Sequence, residues 1–204
     1  IEEILSLSDN VKNPSMTIYL KSYEEQNQEK AKTIMTQLEH TKLADITTSI
    51  QIYFDPDDLN TLIQEDSVMI RQYYEFQTMV KECLERSKKD PGANECKWII
   101  RIELDKETML DKNITMDDVN FAIKHYHQED IKCVFSDYND ENLVLRIRPN
   151  ILNKKKIKKE SLDQMDDIYL IKSFQDQLLQ NIILRGTKNI KKVILRKLVN
   201  NIRV

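Results

Sequence analysis

The chain has 204 residues, 40% hydrophobic and 32% charged, with a net charge of −3; it is long enough to bury roughly 70% of its unfolded surface, which excludes a disordered polypeptide. Cys83, Cys96 and Cys133 form no close pair, and Gly92 and Gly186 are the only glycines, so reduced thiols are expected, a structural zinc site is not, and the usual Gly-rich phosphate loops are excluded. Residues 1–150 carry 18 basic and 29 acidic side chains, a net of −11, whereas residues 151–204 carry 13 and 5, a net of +8, a division that suits either solvated faces or two surfaces meeting different partners.

The opening "IEEILSL" places Ile1, Ile4 and Leu5 on one helical face and lacks the basic start and cleavage site of a signal peptide. Because it begins with Ile1, the chain is expected to be a piece of a longer polypeptide. No apolar run approaches the roughly 20 residues that span a bilayer. Ser15 to Leu20 alternates as a strand does, and residues 27–43 place Ala31, Ile34, Met35, Leu38 and Lys42 at helical spacing. Ile46, Thr48, Ile50, Ile52 and Phe54 predict a half-buried strand that ends in the turn sequence "DPDD". Asp66 is the expected cap of a helix to about Arg86, with Ile70, Tyr73, Tyr74, Val80 and Leu84 inward.

After "SKKDPGANE", Trp98, Ile100, Ile102 and Leu104 face one side of a strand, and Ile99, Arg101 and Glu103 the other. A loop leads to a helix capped by Thr115 and lined by Met116, Val119, Ile123 and Tyr126. Ile131 to Phe135 and Leu143 to Arg148 form a hairpin around "SDYNDEN", and Pro149 ends it. Residues 153–160 read as an exposed linker. A helix from about Leu162 to Gln180 follows, with Met165, Ile168, Ile171, Phe174 or Gln175, and Leu178 on one side. A short strand, a turn at Gly186 and a strand from Val193 to Leu198 close the chain. The fold class expected from this order is α+β, a mixed or antiparallel sheet with packed helices.

Candidate chemistry is sparse. Between Cys96 and Val119 lie Glu103, Asp105, Glu107, Asp111, Asp117 and Asp118. Only Glu103 and Asp105 share a strand face, so a two-metal nuclease built on them is the weakest reading. His125 and His127 stand two apart, about 200° round a helix, and cannot share an ion. No catalytic and no metal-binding residue is assigned. Lys188, Lys191, Lys192 and Arg196 are candidate nucleic-acid contacts, though no aromatics interleave them. Asp137, Asp140 and Glu141 form either a solvated turn or a docking point for a basic partner.

Five segments, in order along the chain, resemble the largest subunit of eukaryotic RNA polymerase II from just after its trigger loop through its jaw. They are "EEILSLSDNVKNPSMTIYL", "IQIYFDPDD", "WIIRIELDKETMLDKNITMDDV", "VFSDYNDENLVLRIR" and "NIILRGTKNIKKVIL". The tryptophan strand followed by "IELD", and the "ILRG" step, look more like polymerase II than the other two nuclear polymerases. Lys97 stands where that family commonly has proline, Ile183 replaces a more usual threonine, and the 153–160 linker is basic where relatives tend to be acidic.

The resemblance implies a post-trigger-loop cleft segment at 1–44 and a jaw domain at 45–204, in the nucleus. It implies no catalysis by these residues, because the magnesium-binding aspartates of such an enzyme, like its structural zinc, belong elsewhere. The implied partners are other polymerase subunits, including a small zinc-ribbon subunit, elongation factor IIS at Asp137, Asp140 and Glu141, and downstream duplex DNA. A free-standing nucleic-acid-binding α+β module using the basic C-terminal segment is the alternative.

Overall fold

A computed structural model describes residues 14–84, 96–127, 131–149, 164–197 and 202–203. The chain divides into two compact units, one formed by residues 1–40 with 186–204, the other by residues 41–185.

In the first unit, α1 (Ser22–Glu25) is followed by α2 (Gln28–Leu38). Asn27 starts α2 by accepting from the backbone N–H groups of Glu29 and Lys30 at 2.9 and 3.4 Å. The returning segment ties to the end of α2: Thr187 N donates to the Leu38 carbonyl at 3.1 Å and His40 N to that of Ile190 at 2.9 Å. Gly186, at φ +93°, makes this approach possible, since a Cβ there would lie 2.0 Å from the Glu39 carbonyl oxygen. β7 (Arg196–Lys197) pairs with β8 (Ile202–Arg203). The strand expected over Ser15–Leu20 does not form. Among the described residues this segment forms only a single bridge, at Tyr19.

The second unit is built on a four-stranded antiparallel sheet in the order β2-β3-β5-β4, comprising β2 (Thr47–Phe54), β3 (Trp98–Leu104), β4 (Ile131–Phe135) and β5 (Leu143–Pro149). Ile100 sits opposite Ile52 and Ile147, and Ile102 opposite Ile50 and Leu145, so one sheet face is a continuous apolar layer. Onto it pack Met109 of α4 (Lys106–Asp111), Val119 and Ile123 of α5 (Met116–His127), and Ile171, Phe174 and Leu178 of α6 (Gln164–Asn181). A two-stranded sheet of β1 (Thr41–Lys42) and β6 (Ile183–Arg185) lies at its margin. The α+β class expected from the sequence is the one observed.

Three local expectations are corrected. The loop after β3 contains α4, started by Asp105, which accepts from Glu107 N at 3.1 Å and from the Thr108 hydroxyl at 2.5 Å. Of the strand expected from Val193 to Leu198, the described residues form only Arg196–Lys197, and Leu198 lies outside them. Val80, Tyr126 and Ile168, read as inward, are exposed, because each helix buries a narrower stripe than its periodicity suggested. The basic linker at 153–160 lies outside the described residues.

Candidate functional site

The other face of the sheet is buried at its centre, where it is ionic. Register places Arg101 directly opposite Arg146, with Arg148 opposite Lys132. Like charges facing each other destabilise a sheet unless anions intervene. The anions come from a strap of residues 55–66 that crosses this face before α3 (Ser67–Leu84).

Arg146 Nη2 donates to Asp55 at 2.7 Å and to Asp58 at 3.0 Å, while its Nη1 reaches the Thr61 hydroxyl at 3.2 Å. The Thr61 hydroxyl donates in turn to Asp55 at 2.6 Å. Arg148 pairs with Asp58 and donates to the backbone carbonyls of Asp55, at 2.9 Å, and Cys96. Arg101 Nε spans both oxygens of Asp66 at 3.2 and 3.1 Å, and its Nη1 pairs with Glu103. Lys132 donates to Asp58 at 3.1 Å and to Tyr74 of α3 at 2.5 Å, and Tyr74 donates to Asp58 at 3.0 Å. These are charge-assisted bonds, several of them forked, the strong kind in a dry setting.

Protonation follows from the neighbours. Burial alone would raise the pKa of Asp58, but the charges and hydrogen bonds of Arg148 and Lys132 outweigh it and hold the carboxyl well below the usual range. Burial would likewise lower the pKa of Arg101. The hydrogen bond to Glu103 and the charge of Asp66 reverse that and raise it. Burial, opposed by the hydrogen bond from Lys132, raises the Tyr74 phenol. Glu103 is lowered by its hydrogen bonds from Ser49 and Arg101, and Asp105 by that from Thr108. Burial pushes the Cys133 thiol up to about 12.

With Asp55 1% and Arg146 2% exposed, no substrate reaches this cluster; it fastens the strap. Glu103 and Asp105, the pair considered for two-metal chemistry, are committed to Arg101 and to the start of α4. Asp66, expected as a helix cap, turns its carboxylate onto Arg101 instead. Asp117 and Asp118 do occupy the first turn of α5, where Thr115 Oγ1 accepts from Asp118 N at 3.2 Å and Asp118 accepts from Thr115 N at 3.0 Å. Among the described residues no group of three or more His, Cys, Asp or Glu is arranged to hold a metal ion.

Asp137, Asp140 and Glu141 are exposed together on the β4–β5 turn. The turn is held by the Asp137 N–H donating to Asp140 Oδ2 at 3.1 Å and the Asp140 N–H donating to the Asp137 carbonyl at 3.1 Å. Lys106 Nζ, missed in the sequence, donates to the Asp140 carbonyl at 2.9 Å and lies 5.9 Å from the Tyr138 ring centre. Three carboxylates therefore project from a firm platform. Lys188, Lys191, Lys192 and Arg196 are exposed on the returning segment of the first unit and have no carboxylate partner among the described residues. Arg185, a neighbour in that basic run, instead pairs with Asp118 at 3.3 Å and donates to the Asn113 carbonyl at 2.8 Å.

Residues 41–185, the same span as the second unit, match the family model described as RNA polymerase Rpb1, domain 7. The strap, the sheet and its helices are therefore that domain, and the chain belongs to the Rpb1 family as part of the largest subunit of a DNA-directed RNA polymerase, a multisubunit nucleotidyltransferase whose other subunits are its partners.

Proposed function

We propose that this chain is a non-catalytic jaw module of the largest subunit of RNA polymerase II. In this reading residues 1–44 form a cleft segment and residues 45–204 the jaw. The module works in the nucleus beside downstream duplex DNA, contacts a small zinc-ribbon subunit and docks elongation factor IIS. The observation that carries the reading is the five collinear segments, two of which hold the Trp98 strand and the acidic turn, within and around the matched domain. The firm, exposed set Asp137, Asp140 and Glu141 supports docking of a basic factor, because rim charges on a rigid platform steer association. The magnesium and zinc of the parent enzyme belong, in this reading, to other parts of it.

The test is capture of purified elongation factor IIS by the chain. Asp137→Lys with Glu141→Lys is expected to weaken capture without changing the denaturation midpoint, and unchanged capture removes the turn as the contact. Exposure of Lys188, Lys191, Lys192 and Arg196 favours contact with the DNA backbone. Lys191→Glu with Lys192→Glu is then expected to reduce the salt slope of duplex binding by about two contacts. Tight, salt-dependent binding by the chain alone would favour the free-standing nucleic-acid module instead.

A further inference from the structure

Beside the acidic turn a cleft of about 430 Å³ opens between three elements. Gln72 of α3 forms one side, Met116 and Asp117 at the start of α5 another, and Phe135, Asp137 and Tyr138 the third. The cleft is open to solvent, so it suits a partner's side chain rather than an enclosed small molecule. Thr115 and Ser136 complete the lining, so its walls mix hydroxyl, amide and carboxylate groups with Met116, Phe135 and the Tyr138 ring. Its two charges are both carboxylates, and neither has a cationic partner among the described residues. The positive end of α5 offsets only about half a charge near Asp117, so the cleft remains negative.

Gln72 also lies within an exposed stripe of α3. At 3.6 residues per turn, Val68, Gln72, Phe76, Met79 and Val80 fall within an arc of about 120°. Phe76 is 66% and Met79 60% exposed, and Val68 and Val80 are exposed as well. The side of α3 that faces the sheet is a different one, carrying Ile70, Tyr73, Tyr74 and Gln77. A surface helix ordinarily turns polar residues outward; α3 shows solvent a second apolar face, continuous with the acidic cleft through Gln72.

An occupant complementary to both features needs apolar side chains at helical spacing and a cation at one end. We infer that the exposed face of α3 and the adjoining Asp117–Asp137 cleft together form a docking groove for a basic amphipathic helix of a partner protein, whose apolar stripe covers Val68, Phe76, Met79 and Val80 and whose terminal Arg or Lys enters the cleft. This is helix-in-groove recognition, with the cation selecting direction along the groove. A second copy of this chain fits less well, because on its own α3 Glu75 borders the apolar stripe more closely than Arg71 does and would meet an acidic cleft. The inference rests on the docking reading only in sharing Asp137; the α3 face is independent of it.

The probe is a synthetic peptide of roughly 18 residues, long enough to hold a helix, with leucines at i, i+3, i+4 spacing and two terminal arginines. Its binding to the full chain is followed by fluorescence anisotropy. Saturable binding is expected, weakened roughly tenfold by Phe76→Glu with Met79→Glu and by Asp117→Lys, and weakened by salt only through the cleft. A peptide of the same composition in scrambled order is expected to bind far less. Absence of saturable binding overturns the inference, as does equal binding of the scrambled peptide or of the Phe76→Glu, Met79→Glu variant. Self-association of the chain abolished by that variant also overturns it, by assigning the face to a second copy. If the variant leaves peptide binding intact while Asp137→Lys with Glu141→Lys abolishes capture of the elongation factor, the groove fails and the turn docking stands. The reverse pattern removes the turn docking and leaves the groove.

Discussion

The two faces of the four-stranded sheet bury their central residues by opposite means. On one, Ile100, Ile102, Leu145 and Ile147 meet three helices and exclude water through the hydrophobic effect. On the other, Arg101, Arg146 and Arg148 meet Asp55, Asp58 and Asp66, and each charge is tolerated only because its partners are in place. Apolar packing is forgiving of a small loss; a buried ionic set is not, because removing one member leaves another charge stranded.

That contrast can be broken or sharpened experimentally. Asp58→Ala leaves Arg146, Arg148 and Lys132 facing one another and is expected to cost about 3–5 kcal/mol in urea denaturation; a cost below that of an ordinary core truncation would show that water enters the ionic face. Leu145→Ala on the apolar face is expected to cost about 2–5 kcal/mol, set by how far the cavity collapses. Replacing Asp55 and Arg146 together by leucine and methionine is expected to cost much less than the sum of the single changes. Strict additivity in that cycle would contradict the pairing.

Acid separates the faces as well. The folded-state pKa of Asp58 is depressed, so its contribution is fully present above the unfolded carboxylate value of about 4 and is lost as pH falls below that toward the folded value. Stability is expected to fall below about pH 4, and Asp58→Asn to flatten that fall. The smallest effect is expected at Glu65, 3.5 Å from Arg101 but with an 81% exposed side chain. Glu65→Gln is expected to change stability by less than about 1 kcal/mol.

Period-two alternation made β2, β3, β4 and β5 legible, along with the hairpin turn and the Thr115 start of α5. What alternation reports, however, is two environments, not one wet and one dry. The pairing of Arg146 and Arg148 was not legible, because their partners lie 88 to 93 residues away, beyond any local pattern. "DPDD" is indeed a turn, yet Asp55 and Asp58 use it to aim their side chains into the sheet. Three arginines on one face of two paired strands, with an acid-rich segment upstream, was the available signal: buried guanidinium requires carboxylate. α4 escaped notice although Asp105 followed by Thr108 is a helix start, because a one-and-a-half-turn helix has no periodicity to detect. The α3 stripe was invisible for the opposite reason, since apolar spacing cannot say which of two apolar sides is covered.

The strap leaves the ribosome first, and β5 follows about ninety residues later. Contacts that span such separations form late in folding. Until they form, the unfinished sheet presents guanidinium groups on the face that will be covered last. A bare apolar face would invite pairing with other nascent chains; a cationic one repels its own copies. Arginine on this face is therefore expected to keep partly folded chains apart as well as to fasten the finished domain. Arg146→Met with Arg148→Met is expected to aggregate faster on refolding by light scattering, even when Asp55 and Asp58 are replaced by apolar residues to restore the folded state. Refolding as clean as wild type would leave the arginines a role in the native structure alone.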